Sequence, residues 1–121
     1  MLFDLLTPGE RGHVVNIVDW RALRPDGSHL AYNVSKAGLV ALTQSLALSL
    51  GPHAQVNAIA LGAMLPRAGD KDDAAYFAAL ADRSPLHRTG STDDVAGALL
   101  YLLRSDFVTG EVMRVTGGEE L

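Results

Sequence analysis

The chain has 121 residues, 48% hydrophobic and 20% charged, a globular composition for which a single domain over 1–121 is the expectation. Ten Lys and Arg against 14 Asp and Glu leave a formal charge of −4, which argues against a nucleic-acid-binding face. Cysteine is absent, excluding disulfides and thiolate metal sites, and no stretch reaches the roughly 20 mostly apolar residues of a membrane span, so a soluble cytoplasmic-type chain is expected.

His13 to Val18 is a β-branched run that follows Pro8, Gly9 and Gly12. Its near-continuous apolar character suits a strand buried on both faces, as in a parallel sheet. Arg21 to His29 reads as a polar loop around Pro25, Asp26 and Gly27. From Ala31 to Leu50 the pattern turns helical, with Leu39, Leu42, Leu46 and Leu50 forming the predicted apolar face before Gly51-Pro52 stops it. Gln55 to Leu61 is a second buried strand, closed by Gly62.

Ala63 to Asp70 is irregular, and Asp70, Asp72 and Asp73 place negative charge at the start of a helix through Ala81. Ser84-Pro85 ends that helix. Ser91-Thr92-Asp93-Asp94 fits a capping box ahead of a third helix, Val95 to Leu103. Gly110 to Val115 is a third strand, and Gly117-Gly118 reads as a turn in which the backbone passes close to its neighbours. The alternation predicts an α/β fold, a parallel sheet with right-handed crossovers and helices on its faces.

Tyr32 and Lys36 stand four residues apart at the start of the long helix, one turn apart on one face. An ammonium there favours the phenolate and lowers the tyrosine pKa. Bringing it from about 10 to about 7 takes roughly 4 kcal/mol of differential stabilisation. Such a phenol can give or take a proton near neutrality. The four histidines, His13, His29, His53 and His87, are scattered over different segments, and no metal site is expected from them.

The surroundings of the pair carry more information. A strand with Val-Asn-Ile ends at Asp19-Trp20, Tyr32 follows thirteen residues after Asp19, and Ser35-Lys36-Ala37-Gly38 continues the helix. The next strand, Val56-Asn57-Ala58-Ile59-Ala60, ends at Leu61-Gly62, and Phe107-Val108-Thr109-Gly110 leads into the last. Together these resemble the carboxy-terminal half of the short-chain dehydrogenase/reductase family, over nearly the whole chain. The resemblance implies a Rossmann-like, doubly wound parallel sheet in a three-layer α/β/α arrangement, of which this chain carries the C-terminal half. It implies NADP as cofactor, with NADPH preferred and NAD possible. Tyr32 is then the proton donor and a cofactor contact, and Lys36 lowers its pKa and binds the nicotinamide ribose. Leu61 and Gly62 stand where the family usually has Pro-Gly and the backbone meets the nicotinamide carboxamide. Asn57 is a structural polar group in this reading.

Where the family usually has a serine, this chain has Asp19. An aspartate there, beside an aromatic such as Trp20, resembles the pteridine reductase and dihydromonapterin reductase branch. In this resemblance Asp19 orients or recharges Tyr32 as a catalytic residue, Asp19 and Trp20 are the candidate substrate contacts, and a small pterin-like imine or carbonyl is the expected substrate. A generic ketone or alcohol oxidoreductase is the alternative chemistry. The family's Gly-rich phosphate-binding turn does not occur in this sequence, and Met1 to Leu6 reads as the tail of a preceding helix. Two organisations follow: half of an enzyme whose N-terminal half lies elsewhere or on a second chain, or a non-catalytic remnant serving as an oligomerisation or interaction module. A homo-oligomer, dimer or tetramer, is expected through the small residues Ala37, Gly38, Ala41, Ser45 and Ala47 of the long helix.

Overall fold

The computed structural model describes residues 9–64 and 74–121. Strands β1 (Gly12–Asp19), β2 (Ala54–Leu61) and β3 (Val112–Val115) form one parallel sheet in that order. Helix α1 (Leu30–Leu50) connects β1 to β2, while α2 (Ala74–Asp82) and α3 (Thr92–Arg104) lie between β2 and β3. Met1 to Leu6 and the acidic segment Asp70 to Asp73 lie outside the described residues.

β2 is the centre of the fold, buried from Ala54 through Ala60. Its alanines serve close packing: Ala58 and Ala60 sit with Val18 against Leu39 and Val40 of α1. The predicted leucine face of α1 holds in part: Leu39 packs on this core and Leu46 and Leu50 are partly buried. Leu42 is half exposed, whereas Asn33, Thr43 and Ala47 are buried, so the inward stripe runs Asn33, Val40, Thr43, Ala47. Small side chains bring the helix close to the sheet, where a bulky row would hold it off. Thr43 settles its hydroxyl locally, donating to the Leu39 carbonyl at 2.8 Å and accepting from the Asn16 amide at 2.9 Å.

Gln55 projects from the opposite face of β2 and donates to the carbonyl of Ser105, the residue that ends α3, at 2.9 Å. α1 and α3 therefore cover opposite faces and complete three layers. Since the chain steps from β1 to β2 to β3 in one direction, the two crossovers have opposite hands, and the expectation of right-handed connections throughout fails.

Two local devices set the ends of α3 and β3. Ser91 accepts from the Asp94 N–H while the Asp94 carboxylate accepts from the Ser91 N–H, so the capping box forms and starts α3 at Thr92, earlier than the sequence pattern suggests. β3 begins at Val112 rather than Gly110, because Gly110 adopts φ +75° and leaves extended geometry. Asn57 adds a side-chain tie to this segment, accepting from the Glu111 N–H at 3.0 Å and donating to the Val108 carbonyl at 2.9 Å. Its side chain is thus structural. Gly117 and Gly118 form the expected close turn: both have positive φ, and a Cβ at Gly117 would lie 2.4 Å from the Ser84 hydroxyl.

Candidate active site

The sheet's register lines up Asp19, Leu61 and Val115 across the carboxyl ends of the three strands. In open α/β sheets that edge is where ligands bind. α1 begins just beyond it, and its first turns carry Tyr32 and Lys36 back over the end of β1. The Tyr32 hydroxyl donates to the Asp19 carboxylate at 3.3 Å, across thirteen residues of sequence. The Lys36 ammonium lies 5.8 Å from the Tyr32 ring centroid and donates to the Ile17 carbonyl at 3.2 Å. Asp19, Tyr32 and Lys36 are therefore brought together as one group.

The electrostatics differ from the expectation drawn from the Tyr32–Lys36 spacing. The phenol is pushed above its usual value of 10, first by desolvation and then by the Asp19 charge and hydrogen bond, while Arg21 pulls it down. Lys36 spends a hydrogen bond on the strand carbonyl beside the ring, and desolvation with Asp19 sets the direction of the shift. Tyr32 is consequently a protonated phenol at neutral pH. Its side chain is 44% exposed, so it can reach a ligand.

The sequence pattern places Arg21 in a polar loop. In fact Trp20–Ala22 form a short 3-10 turn capped by Asp19, whose carboxylate accepts from the Arg21 N–H at 2.8 Å. The Arg21 guanidinium returns to the same carboxylate at 3.3 Å and lies 4.7 Å over the Trp20 ring. It also reaches Asp26 at 3.4 Å. Asp26 accepts from the Ser28 N–H and hydroxyl, which hold its carboxyl at about 2. Buried Asn33 ties the loop to α1 by donating to the Ser28 carbonyl at 2.8 Å. The detectable signals were the Asp26-x-Ser28 turn and the i, i+2 spacing of Asp19 and Arg21.

Leu61 and Gly62 share the edge with Asp19 but make structural contacts. The Gly62 N–H donates to the Val115 carbonyl at 3.0 Å, and a Cβ there would lie 2.8 Å from the Thr116 backbone. The next N–H, of Ala63, donates to the nearly buried carboxylate of Glu119 at 2.6 Å, a contact that nothing in the sequence pattern indicated. Trp20 lines a pocket of about 260 Å³ with Leu23, Arg24, Arg114, Glu120 and Leu121.

The donor set suits the nicotinamide-ribose end of a dinucleotide. A half-exposed phenol and an ammonium with two further N–H bonds to give converge on one side of a sheet edge, as recognition of a vicinal diol requires. No described cluster of His, Asp or Glu is arranged to hold a metal ion. No described helix is long and apolar enough to cross a membrane.

Residues 2–120 match the family model described as enoyl-(acyl carrier protein) reductase. The chain belongs to the short-chain dehydrogenase/reductase family. A candidate ketoacyl reductase 2 of the granaticin polyketide synthase from Streptomyces violaceoruber is 40% identical over 91% of this chain and 45% of that protein. Dihydromonapterin reductase of Klebsiella pneumoniae is 34% identical over 92% of this chain and 48% of its own length. Among solved structures, FolM alternative dihydrofolate reductase 1 from Brucella canis, complexed with NADP, superposes with a TM-score of 0.84 at 29% identity. That match covers 98% of this chain and 46% of the Brucella protein. The chain spans about half the length of the curated relatives it matches.

Proposed function

We propose that this chain carries the catalytic half of an NADPH-dependent reductase acting on a reduced pterin, with Tyr32 as proton donor. The observation that carries this reading is the hydrogen bond from the Tyr32 hydroxyl to Asp19, an acid at the position where the family usually has serine. NADPH, when bound, would supply the hydride to the carbon of the substrate's C=N or C=O bond and be oxidised to NADP+. Tyr32 delivers the matching proton to the nitrogen or oxygen. Asp19 orients the phenol and accepts a substrate N–H, and it relays a proton back from solvent after each turnover. Lys36 is the residue to hold the ribose hydroxyls, with the Leu61–Gly62 edge beside the nicotinamide.

The pyrophosphate and adenosine contacts come from an N-terminal half outside these 121 residues, on the same polypeptide or on a second chain. Assembly as a homo-oligomer through the outward face of α1 suits the exposure of Val34 (63%) and Leu48 (87%) there. The 40% identity to the candidate ketoacyl reductase favours a second reading, reduction of a ketone with Asp19 incidental to the chemistry. A third, a non-catalytic interaction module, rests on the half-length match alone. A panel of dihydropterins and simple ketones, with NADPH and the protein carrying this segment, separates the three. Turnover of pterins is expected; turnover of ketones alone removes the pterin assignment, and turnover of neither removes catalysis.

A further inference from the structure

Asp19 is held from two sides, and the second side is not part of the tyrosine–lysine pair. The Arg21 guanidinium contacts both Asp19 oxygens, at 3.3 and 3.4 Å, while the Arg21 N–H holds Oδ1 at 2.8 Å. Its Nε reaches Asp26 at 3.4 Å. Asp26 is itself fixed by the Ser28 N–H at 2.9 Å and the Ser28 hydroxyl at 2.6 Å. Asn33, one residue after Tyr32 and buried, donates to Asp26 and to Ser28. The carboxylate facing the phenol is thus one end of a closed circuit that runs Asp19, Arg21, Asp26, Asn33 and back to Tyr32 along α1.

We propose that Arg21 is a positioning residue, which pins the Asp19 carboxylate against Tyr32 and offsets its charge so that the phenol is held but not locked in its protonated form. The fork of a guanidinium explains the residue type. It spans two carboxylates at once, and its planar face lies over Trp20, neither of which an ammonium does well. The charged groups facing Tyr32 are Asp19 from the end of β1, Arg21 from the 3-10 turn and Lys36 from α1, with Asp26 behind Arg21. Without Arg21 the phenol faces an uncompensated anion, and giving up its proton becomes harder. The direction of the Arg21 effect on Tyr32 agrees, opposing that of Asp19. The inference deepens the assignment of Tyr32 as proton donor, and its test reads the phenol directly and not turnover.

The experiment is an alkaline titration of tyrosinate ultraviolet absorbance on the protein carrying this segment. The Tyr32→Phe protein is subtracted to isolate one phenol, and far-ultraviolet circular dichroism confirms that each variant is folded. Arg21→Gln is expected to raise the Tyr32 midpoint by about half a pH unit or more, the size of effect a nearby compensating charge exerts. Arg21→Lys, which keeps the charge and loses the fork, is expected to fall between that variant and the parent. Should Arg21→Gln fail to fold, Arg21→Lys still decides: any upward shift supports the proposal. An unchanged midpoint in the folded variants overturns it, and leaves Tyr32 as proton donor to be judged by turnover.

Discussion

Truncating Asn57 is the sharpest test of what holds the sheet edge together. The side chain is 1% exposed and makes two bonds, to the Val108 carbonyl at 2.9 Å and from the Glu111 N–H at 3.0 Å. The consequences of Asn57→Ala are unequal. The Val108 carbonyl keeps a second partner, the Gln55 amide at 2.7 Å, so only one ordinary hydrogen bond is lost there. The Glu111 N–H loses its acceptor among the described residues, at a cost of about 1–3 kcal/mol if water does not replace it, against about 1 kcal/mol for the other bond. A destabilisation of about 2–4 kcal/mol follows, a large share of the 5–15 kcal/mol typical of a domain. Urea unfolding followed by circular dichroism measures it. Asn57→Asp keeps the acceptor for Glu111 and turns the donor facing Val108 into a buried carboxylate, so it should be worse at neutral pH and recover on acidification. A loss below about 1 kcal/mol for Asn57→Ala would refute the structural assignment of this residue.

Further outcomes follow from other contacts. Gly117→Ala forces φ +64° on a residue with a Cβ and meets the Ser84 hydroxyl, so it should cost about 2 kcal/mol or more. Gly97→Ala, in α3 with nothing within 4 Å, should stabilise by about 0.5–1 kcal/mol; thermal melts compare the two. The Asp26 carboxyl is held at about 2, below its ordinary 3.8, so its contribution to stability is present above the ordinary value and lost as pH falls through about 2. Asp94, held down by Arg88 and Ser91, behaves likewise, and Asp26→Asn with Asp94→Asn should flatten the acid limb of a stability–pH curve. Calorimetry on the 121-residue chain alone should find NADPH binding weaker than about millimolar, because the phosphate-binding turn is not in it.

Strand and helix order were legible because β2 is buried on both faces and reads as a mostly apolar run broken only by Gln55 and Asn57, and because Ser91 to Asp94 announces its own helix start. The orientation of α1 was not. Leucine periodicity marks apolar positions, whereas close packing on a sheet also depends on where small residues fall, and buried Thr43 and Ala47 share the contact with Leu39 and Val40. The hand of the second crossover was equally hidden, since it depends on which face of β2 receives α3. At the site, the Tyr32–Lys36 spacing and the distant Asp19 were readable as a group. The sign of the tyrosine shift was not legible from the Tyr32–Lys36 spacing, because its largest cause is desolvation of the phenol in the folded site, followed by the Asp19 contact, with Arg21 opposing both from a segment that looked like featureless loop.

The central claim is that Asp19 and Tyr32 work as one proton-donating unit on a pterin. The most direct measurement is the rate of dihydropterin reduction by NADPH in the parent, Asp19→Ser, Tyr32→Phe and double-variant forms of the protein carrying this segment. Tyr32→Phe and Asp19→Ser are each expected to lose about a hundredfold or more in turnover, with the double variant little worse than the poorer single. The parent rate should fall only at alkaline pH, above the usual tyrosine value, because the folded phenol is shifted upward. If Asp19→Ser reduces the pterin as fast as the parent, Asp19 has no proton-relay role and the claim is wrong.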